Sequence, residues 1–397
     1  MHIDIDTKFV MLIGTPLHQS FAARMQNAVY KSEGMNMRYF YNDADSTHLK
    51  EILDGLRHTS SFAGAAVTRP NKVEAMRYLD EVDPLCRKMG SCNTIVKDED
   101  GRLIGYNTDG LGFYKSLVED GGFDADGKSF FCIGAGGAGR AMCSALADNG
   151  AARIYVTDVN DVAAQRLVED INEHFGPQSR PSVAETPSDR DPVAVHVPFG
   201  NFSRIGECDC VMNASGIGMG SSVGMSPLPK EHVRPGTFYF DACYNPERTQ
   251  FLKNAEEAGC QVLNGLGMSL HQGAAQIELW TGETAPIDVM RNELETIMAE
   301  LDAAGRLADE PASTNIALKG MGMDARNPKS IVGSDMPPVS SRPEGTCGAS
   351  ASTLSDAASS DGRTESIETL TDNEAEGTRS VSLDQEAKYY EVTGSPR

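Results

Sequence analysis

"FFCIGAGGAGRAMCSALADNG" (residues 130–150) sets an apolar run, a glycine-rich turn and a helical pattern in direct succession. Gly134, Gly136 and Gly139 stand as G-x-G-x-x-G after a strand-like stretch and ahead of a helix-like one, which is the context a dinucleotide-binding turn requires. Gly134 permits the tight turn, Gly136 lets backbone approach a pyrophosphate, and Gly139 lets helix and strand pack closely. Gly137 and Ala138 complete the loop. The helix that follows offers unpaired N–H groups and a partial positive charge to phosphates. A glycine-rich turn that binds nothing is the competing reading.

Working outward, "ARIYVTDVND" supplies a second strand ending at Asp158, 19 positions past Gly139 (158 − 139). That is close to the roughly 20 residues expected for an acid that accepts hydrogen bonds from the adenosine ribose. Val159 and Asn160 follow, so no cation stands ready for a 2′-phosphate, and NAD is expected ahead of NADP, with NADP possible. Capping of the next helix is the ordinary alternative for Asp158. Further strands are expected in CDCVMNAS, TFYFDACYNP and CQVLNG. In the first hundred residues FVMLIG, MRYFYN and FAGAAV alternate with helical patterns, among them residues 20–34, 46–59 and 71–82. The whole predicts an α/β fold: an N-terminal α/β substrate-binding domain (1–110, joined by returning helices near 268–304), a Rossmann dinucleotide-binding domain (111–267), and a disordered acidic tail (305–397). The stretch between Phe175 and Phe202, rich in Pro, Ser, Asp and Arg, reads as a surface loop, and the tail is too poor in large apolar residues to offset its ordering entropy.

The 397 residues carry a formal charge of −22, which opposes nucleic acid and anionic membrane as partners. Any anionic ligand must therefore be held by local donors. Nine cysteines without a C-x-x-C pair suggest reduced thiols in a cytoplasmic protein, and no metal site is read from the sequence. The N-terminus lacks a basic region followed by an apolar stretch, so no signal peptide is expected.

"VTRPNK" (67–72) ends a strand with Lys72 directly after a Pro-Asn turn, where a solvated lysine is the ordinary outcome. "GSCNTIVKDEDGRLIGYNTDGLGF" (90–113) reads as a β-hairpin turning near Asp100-Gly101, with polar residues gathered at its strand ends before Asp109. Such a gathering at a domain junction suits a ligand cleft.

VT-x-P-x-K (67–72), G-x-x-NTI (90–95), GYNTDG (105–110) and GAGGAG (134–139) together resemble the shikimate and quinate dehydrogenases, and VMNASGIGM (211–219), YNPERT (244–249) and NGLGMSLHQGA (264–274) extend the likeness. The resemblance implies an NAD(P)-dependent oxidoreductase of a ring hydroxy-carboxylate, monomeric or homodimeric. It makes Lys72 and Asp109 the catalytic pair, with Lys72 either carrying the hydroxyl proton or stabilising the alkoxide. It places Ser20, Thr68, Asn93, Tyr244 and Gln272 around the substrate, and adds Asn213 and Gly265 to the cofactor site. Gln272 also suits an ordinary helix surface. An enzyme of the same fold acting on a different hydroxy-carboxylate, and a non-catalytic metabolite sensor, are the alternatives.

Two departures stand out. The family's S-x-S-P becomes Ser20-Phe21-Ala22-Ala23, removing one hydroxyl that the resemblance assigns to the substrate carboxylate, and Ala66 stands where Asn is usual. Each lost hydrogen bond to a charged group is worth roughly 1.5–3 kcal/mol. Arg24 and Arg69 lie beside these gaps, and one of them is expected to reach the carboxylate, since guanidinium matches its planar shape.

Overall fold

Alternating short apolar runs and amphipathic helices give β1 (Lys8–Gly14), α1 (Ala22–Ser32), β2 (Met37–Asp43), α2 (Leu49–Arg57), β3 (Phe62–Val67), β4 (Glu81–Val82), α3 (Pro84–Met89), β5 (Thr94–Lys97) and β6 (Leu103–Tyr106). The structure, a computed structural model, describes residues 3–18, 20–175 and 192–303; the expected disordered tail, 305–397, lies outside them. The first sheet has the order β2-β1-β3-β5-β6-β4. Its first three strands are parallel, and the hairpin enters antiparallel, pairing Ala66 with Thr94 and Thr94 with Tyr106. The hairpin turn forms at Asp98–Arg102, with Gly101 at φ 82°.

The helix expected over 71–82 does not form. Glu74–Tyr78 makes a short 3₁₀ turn and the chain then runs out as edge strand β4. Val73 is 51% exposed while Ala75 is buried, so the apolar residues share no helical face, and Pro84, capped by Asp83, starts a new helix immediately after.

α4 (Asp109–Lys115) leads to a second sheet built from β7 (Ser129–Ile133), α5 (Gly137–Asp148), β8 (Arg153–Thr157), α6 (Asp161–Phe175), β9 (Ala194–His196), β10 (Cys210–Asn213), β11 (Phe238–Asp241), α7 (Gln250–Glu257) and β12 (Val262–Leu263). The order is β12-β11-β10-β7-β8-β9, all pairings being parallel. This is the doubly wound dinucleotide-binding topology, with its switch point between β7 and β10. Part of the stretch expected to be a loop, Ala194–His196, is an edge strand beside β8; residues 176–191 lie outside the described ones. Apolar clusters fill both faces of this sheet, with Phe130, Ile154 and Phe240 on one and Phe131, Val211 and Tyr239 on the other.

α8 (Leu266–Thr281) and α9 (Ile287–Ala303) return to the first sheet. Leu270, Ala274 and Ile277 join the core of Val10, Met25 and Val29, and Met290 and Leu294 of α9 close it. Trp280 Nε1 donates to the Ile95 carbonyl at 2.9 Å, locking α8 across β5. Among the described residues no helix is long and apolar enough to cross a membrane.

Candidate active site

The turn after β3 brings Lys72 to Asp109, 37 residues along the chain. Lys72 Nζ lies 2.6 Å from Asp109 Oδ2, with the side chains 17% and 7% exposed. An intact buried ion pair is close to neutral for stability against apolar residues, whereas removing one partner costs about 3–5 kcal/mol. Folding thus gains little from such a pair, so its presence points to chemistry.

Asp109 is held on its far side too. Asn93 Nδ2 donates to Asp109 Oδ1 at 2.9 Å and to Gln272 Oε1 at 3.3 Å, while Asn93 Oδ1 accepts from the Thr108 N–H at 2.8 Å. Asn93, expected among the substrate's contacts, is 2% exposed, and its amide braces the Asp109 carboxylate. Gln272 is part of the same network and is not a solvent-facing helix residue. Gln276, one helical turn further along α8, donates to the Asn93 carbonyl and to Thr94 Oγ1. It escaped the sequence reading, although its i, i+4 spacing from Gln272 puts both amides on one face.

Beside this pair stands the glycine-rich loop. Gly134 adopts φ 120°, and a Cβ there would stand 2.6 Å from the Ala214 carbonyl carbon; one on Gly139 would stand 2.0 Å from the Gly134 oxygen. Both glycines are packing requirements. Gly136 differs: it is exposed, and a Cβ on it would meet nothing within 4 Å, which leaves room for a pyrophosphate beside the first turn of α5. Gly137 and Ala138 follow, half exposed, at that turn. A Cβ on Gly137 would come 3.0 Å from Lys72 Cδ and 3.2 Å from Ser91 Oγ, so the lysine stem touches the nucleotide loop. Ser91 Oγ is buried with no hydrogen-bond partner among the described residues, and nothing in its sequence surroundings marks it. Asp158 Oδ2 accepts from the Ala135 N–H and Oδ1 from the Asn160 N–H, both at 2.7 Å. It therefore ties β8 to the loop, and the helix cap is Asn160, whose side chain accepts from the Ala163 N–H. The open Gly136, the free helix start and a carboxylate at the end of the second strand fit a nicotinamide dinucleotide.

The remaining expected residues divide. Asn213 is fully buried; it donates to the Ile217 carbonyl and to Asp241 and accepts from the Ser215 N–H, so its side chain shapes the 214–218 loop and does not face the cleft. Asp241 beneath it is pushed up to about 6 by burial, against hydrogen bonds from Thr249, Cys243 and Asn213. Gly265 packs the start of α8 against Ala242, where a Cβ would come within 2.3 Å of the carbonyl oxygen. Thr68 sits half-buried at the end of β3, its methyl against Gly14. Ser20 Oγ accepts from the Ala22 N–H, and the Ser20 carbonyl accepts from Tyr41 Oη. Tyr244, its hydroxyl pushed up to about 12 by desolvation, packs its ring 5.2 Å from that of Phe21. Arg24 does not reach the cleft, for it pairs with Glu293 at 2.7 Å and Glu300 at 2.5 Å on α9.

Comparison with known proteins agrees with this layout. Residues 12–95 match the shikimate dehydrogenase substrate binding domain and residues 265–295 the Shikimate 5'-dehydrogenase C-terminal domain. The shikimate dehydrogenase (NADP(+)) of Desulforamulus reducens is 39% identical over 298 residues, 74% of this chain and 97% of that enzyme. A shikimate dehydrogenase crystallised with NADP+ superposes with a TM-score of 0.67 at 32% identity, covering 75% of this chain and 98% of that one. The quinate dehydrogenase of Corynebacterium glutamicum, solved with NAD, gives 0.64 at 29% identity over 73% of this chain and 99% of that one. Carried by a relative of this identity matched along nearly its whole length, and by a shared two-sheet fold, the assignment follows: this chain belongs to the shikimate dehydrogenase family.

Proposed function

We propose that this protein reversibly oxidises a ring hydroxyl of a polyhydroxylated cyclohexane or cyclohexene carboxylate, shikimate or quinate, to the 3-dehydro compound. The observation that carries the reading is the Lys72–Asp109 pair at 2.6 Å, with the lysine stem against Gly137 of the nucleotide loop. Bound along that loop, the nicotinamide dinucleotide supplies the hydride acceptor or donor. Lys72 holds the substrate hydroxyl and takes or returns its proton, or stays charged and stabilises the developing alkoxide. Asp109 fixes the ammonium, and Asn93 fixes Asp109. Ser20, Thr68, Tyr244 and Gln272 line the substrate side, which belongs to a domain of residues 1–110 joined by 268–304; residues 111–267 form the cofactor domain.

We assign NAD as the preferred cofactor. The NADP(+) in the relative's name belongs to that enzyme, whereas here Asp158 followed by Val159 puts a negative charge and no cation where a 2′-phosphate would lie. Like-charge contact costs several kcal/mol by order of magnitude. Absorbance of the reduced cofactor, followed with NAD or NADP and either ring acid, tests both readings. Turnover with NAD at least about 10-fold more efficient than with NADP is expected. Equal turnover removes the role given to Asp158, and no turnover with any pairing removes the reaction.

A further inference from the structure

Two cations rise from one turn and cross to adjacent loops of the second sheet. Lys72 meets Gly137 in the loop after β7, and Arg69, three residues earlier, meets Gly216 in the loop after β10. A Cβ on Gly216 would lie 3.0 Å from Arg69 Nη1. β7 and β10 are neighbours, and Gly134 packs on Ala214 and Ser215, so the two contacts stand side by side at the switch point of the sheet. Their commitments differ. Lys72 is neutralised by Asp109, and Arg24, the other arginine near the missing hydroxyl, is consumed by Glu293 and Glu300. The Arg69 guanidinium forms no hydrogen bond or ion pair with any described residue. Its charge bears on Cys243 and Tyr244, the latter packed at a tilt against Phe21.

We propose that Arg69 takes the substrate's carboxylate and so makes the site specific for an acid over the corresponding neutral ring. The inference rests on the reading that the cleft oxidises a ring hydroxy-carboxylate. Ala22 and Ala23 present no side-chain donor, and Ser20 Oγ already accepts from the Ala22 N–H, leaving one hydroxyl proton to donate. In a protein of charge −22 an anion needs a local positive partner, and an uncommitted planar guanidinium gives two parallel donors. The reacting hydroxyl then meets Lys72 and the carboxylate, two ring carbons away from it, meets Arg69, both cations rising from the one turn.

The test compares a ring acid with its methyl ester in wild type, Arg69→Ala and Arg69→Lys. KM for the acid is expected to rise roughly 10- to 150-fold in Arg69→Ala, the worth of one hydrogen bond to a charged group, and to recover in part in Arg69→Lys. KM for the ester and for the dinucleotide should stay within about two-fold, since Arg69 is exposed and its guanidinium makes no hydrogen bond or ion pair with a described residue that its loss would break. Equal changes for acid and ester, no change for either, or a rise confined to the dinucleotide would each overturn the role of Arg69 while leaving the reaction intact. A wild type that turns over neither acid nor ester overturns the reaction itself and this inference with it.

Discussion

On one rim of the cleft, Lys72 reaches Asp109 at 2.6 Å, Asn93 braces the carboxylate, and Arg69 extends its guanidinium beside them. On the other rim, Gly134, Gly136 and Gly139 present backbone alone. In the proposed reading the first rim works through functional groups whose identity sets the chemistry. The second offers missing side chains, and the donors it would present to a ligand are N–H groups common to every residue. A substitution on the first rim should therefore change the reaction, at a stability cost of about 3–5 kcal/mol where it breaks the buried pair. On the second it should change the fold or the cofactor affinity and spare the reaction.

The largest effect is expected at Lys72. In Lys72→Met the proton carrier is gone while Asp109 keeps its hydrogen bond from Asn93, and general acid–base assistance is worth typically 10²–10⁴-fold. kcat should fall by about that factor, with KM for the dinucleotide within about two-fold of wild type. A loss of less than about 10-fold in kcat would remove Lys72 from the chemistry and break the contrast between the rims.

The glycine rim gives a sharper comparison, because two of its members predict different outcomes. Gly139→Ala sets a Cβ 2.0 Å from the Gly134 oxygen, a backbone atom that cannot swing away. Overpacking of this kind costs about 1–3 kcal/mol, visible as a lowered melting temperature of the cofactor-free protein. Gly136→Ala meets nothing within 4 Å, at φ −74° and ψ −168°, a backbone conformation open to any residue, so stability should change by less than about 0.5 kcal/mol. The same methyl occupies the space a pyrophosphate needs, and the dinucleotide KM should rise at least about 10-fold. If Gly136→Ala binds the dinucleotide as wild type does, the loop is a packing turn and no cradle.

How much of this was legible beforehand follows from the range of the interactions. The strands, the glycine-rich turn and the hairpin are local, and an apolar run or a turn pair announces them. The 71–82 segment misled because a few apolar residues in a short window imitate a helix, until β6 draws the chain into edge pairing with β4. The same limit hid the strand at Ala194–His196, whose pairing with β8 is a tertiary fact inside a polar stretch. At the site, Lys72 and Asp109 were found through family resemblance, since no local pattern links residues 37 apart. The brace around them was not found: Asn93 meets Gln272 and Gln276 only because α8 returns to the first sheet some 180 residues later. At Asn213, which the resemblance adds to the cofactor site, folding buries the side chain. Its amide holds the 214–218 loop, a contact no local pattern announces.

The smallest effect is expected at the other arginine, where sequence put two cations beside one gap and folding separated them. Arg24 lies 44% exposed, its guanidinium shared between Glu293 and Glu300 on α9. Those acids raise its pKa, the Glu300 hydrogen bond most, and Glu300 is held below the ordinary carboxylate range by the same contact. Solvent screens such a pair and side-chain entropy opposes it, so little stability follows from it. Arg24→Ala should lower the melting temperature by at most about 2–4 °C and leave KM for acid and ester within about two-fold of wild type. A KM for the acid that rises as much in Arg24→Ala as in Arg69→Ala would mean that α9 releases Arg24 when substrate arrives. The carboxylate would then be met from the helical face of the cleft as well as from the 68–72 turn, and the division of labour between the rims would need redrawing.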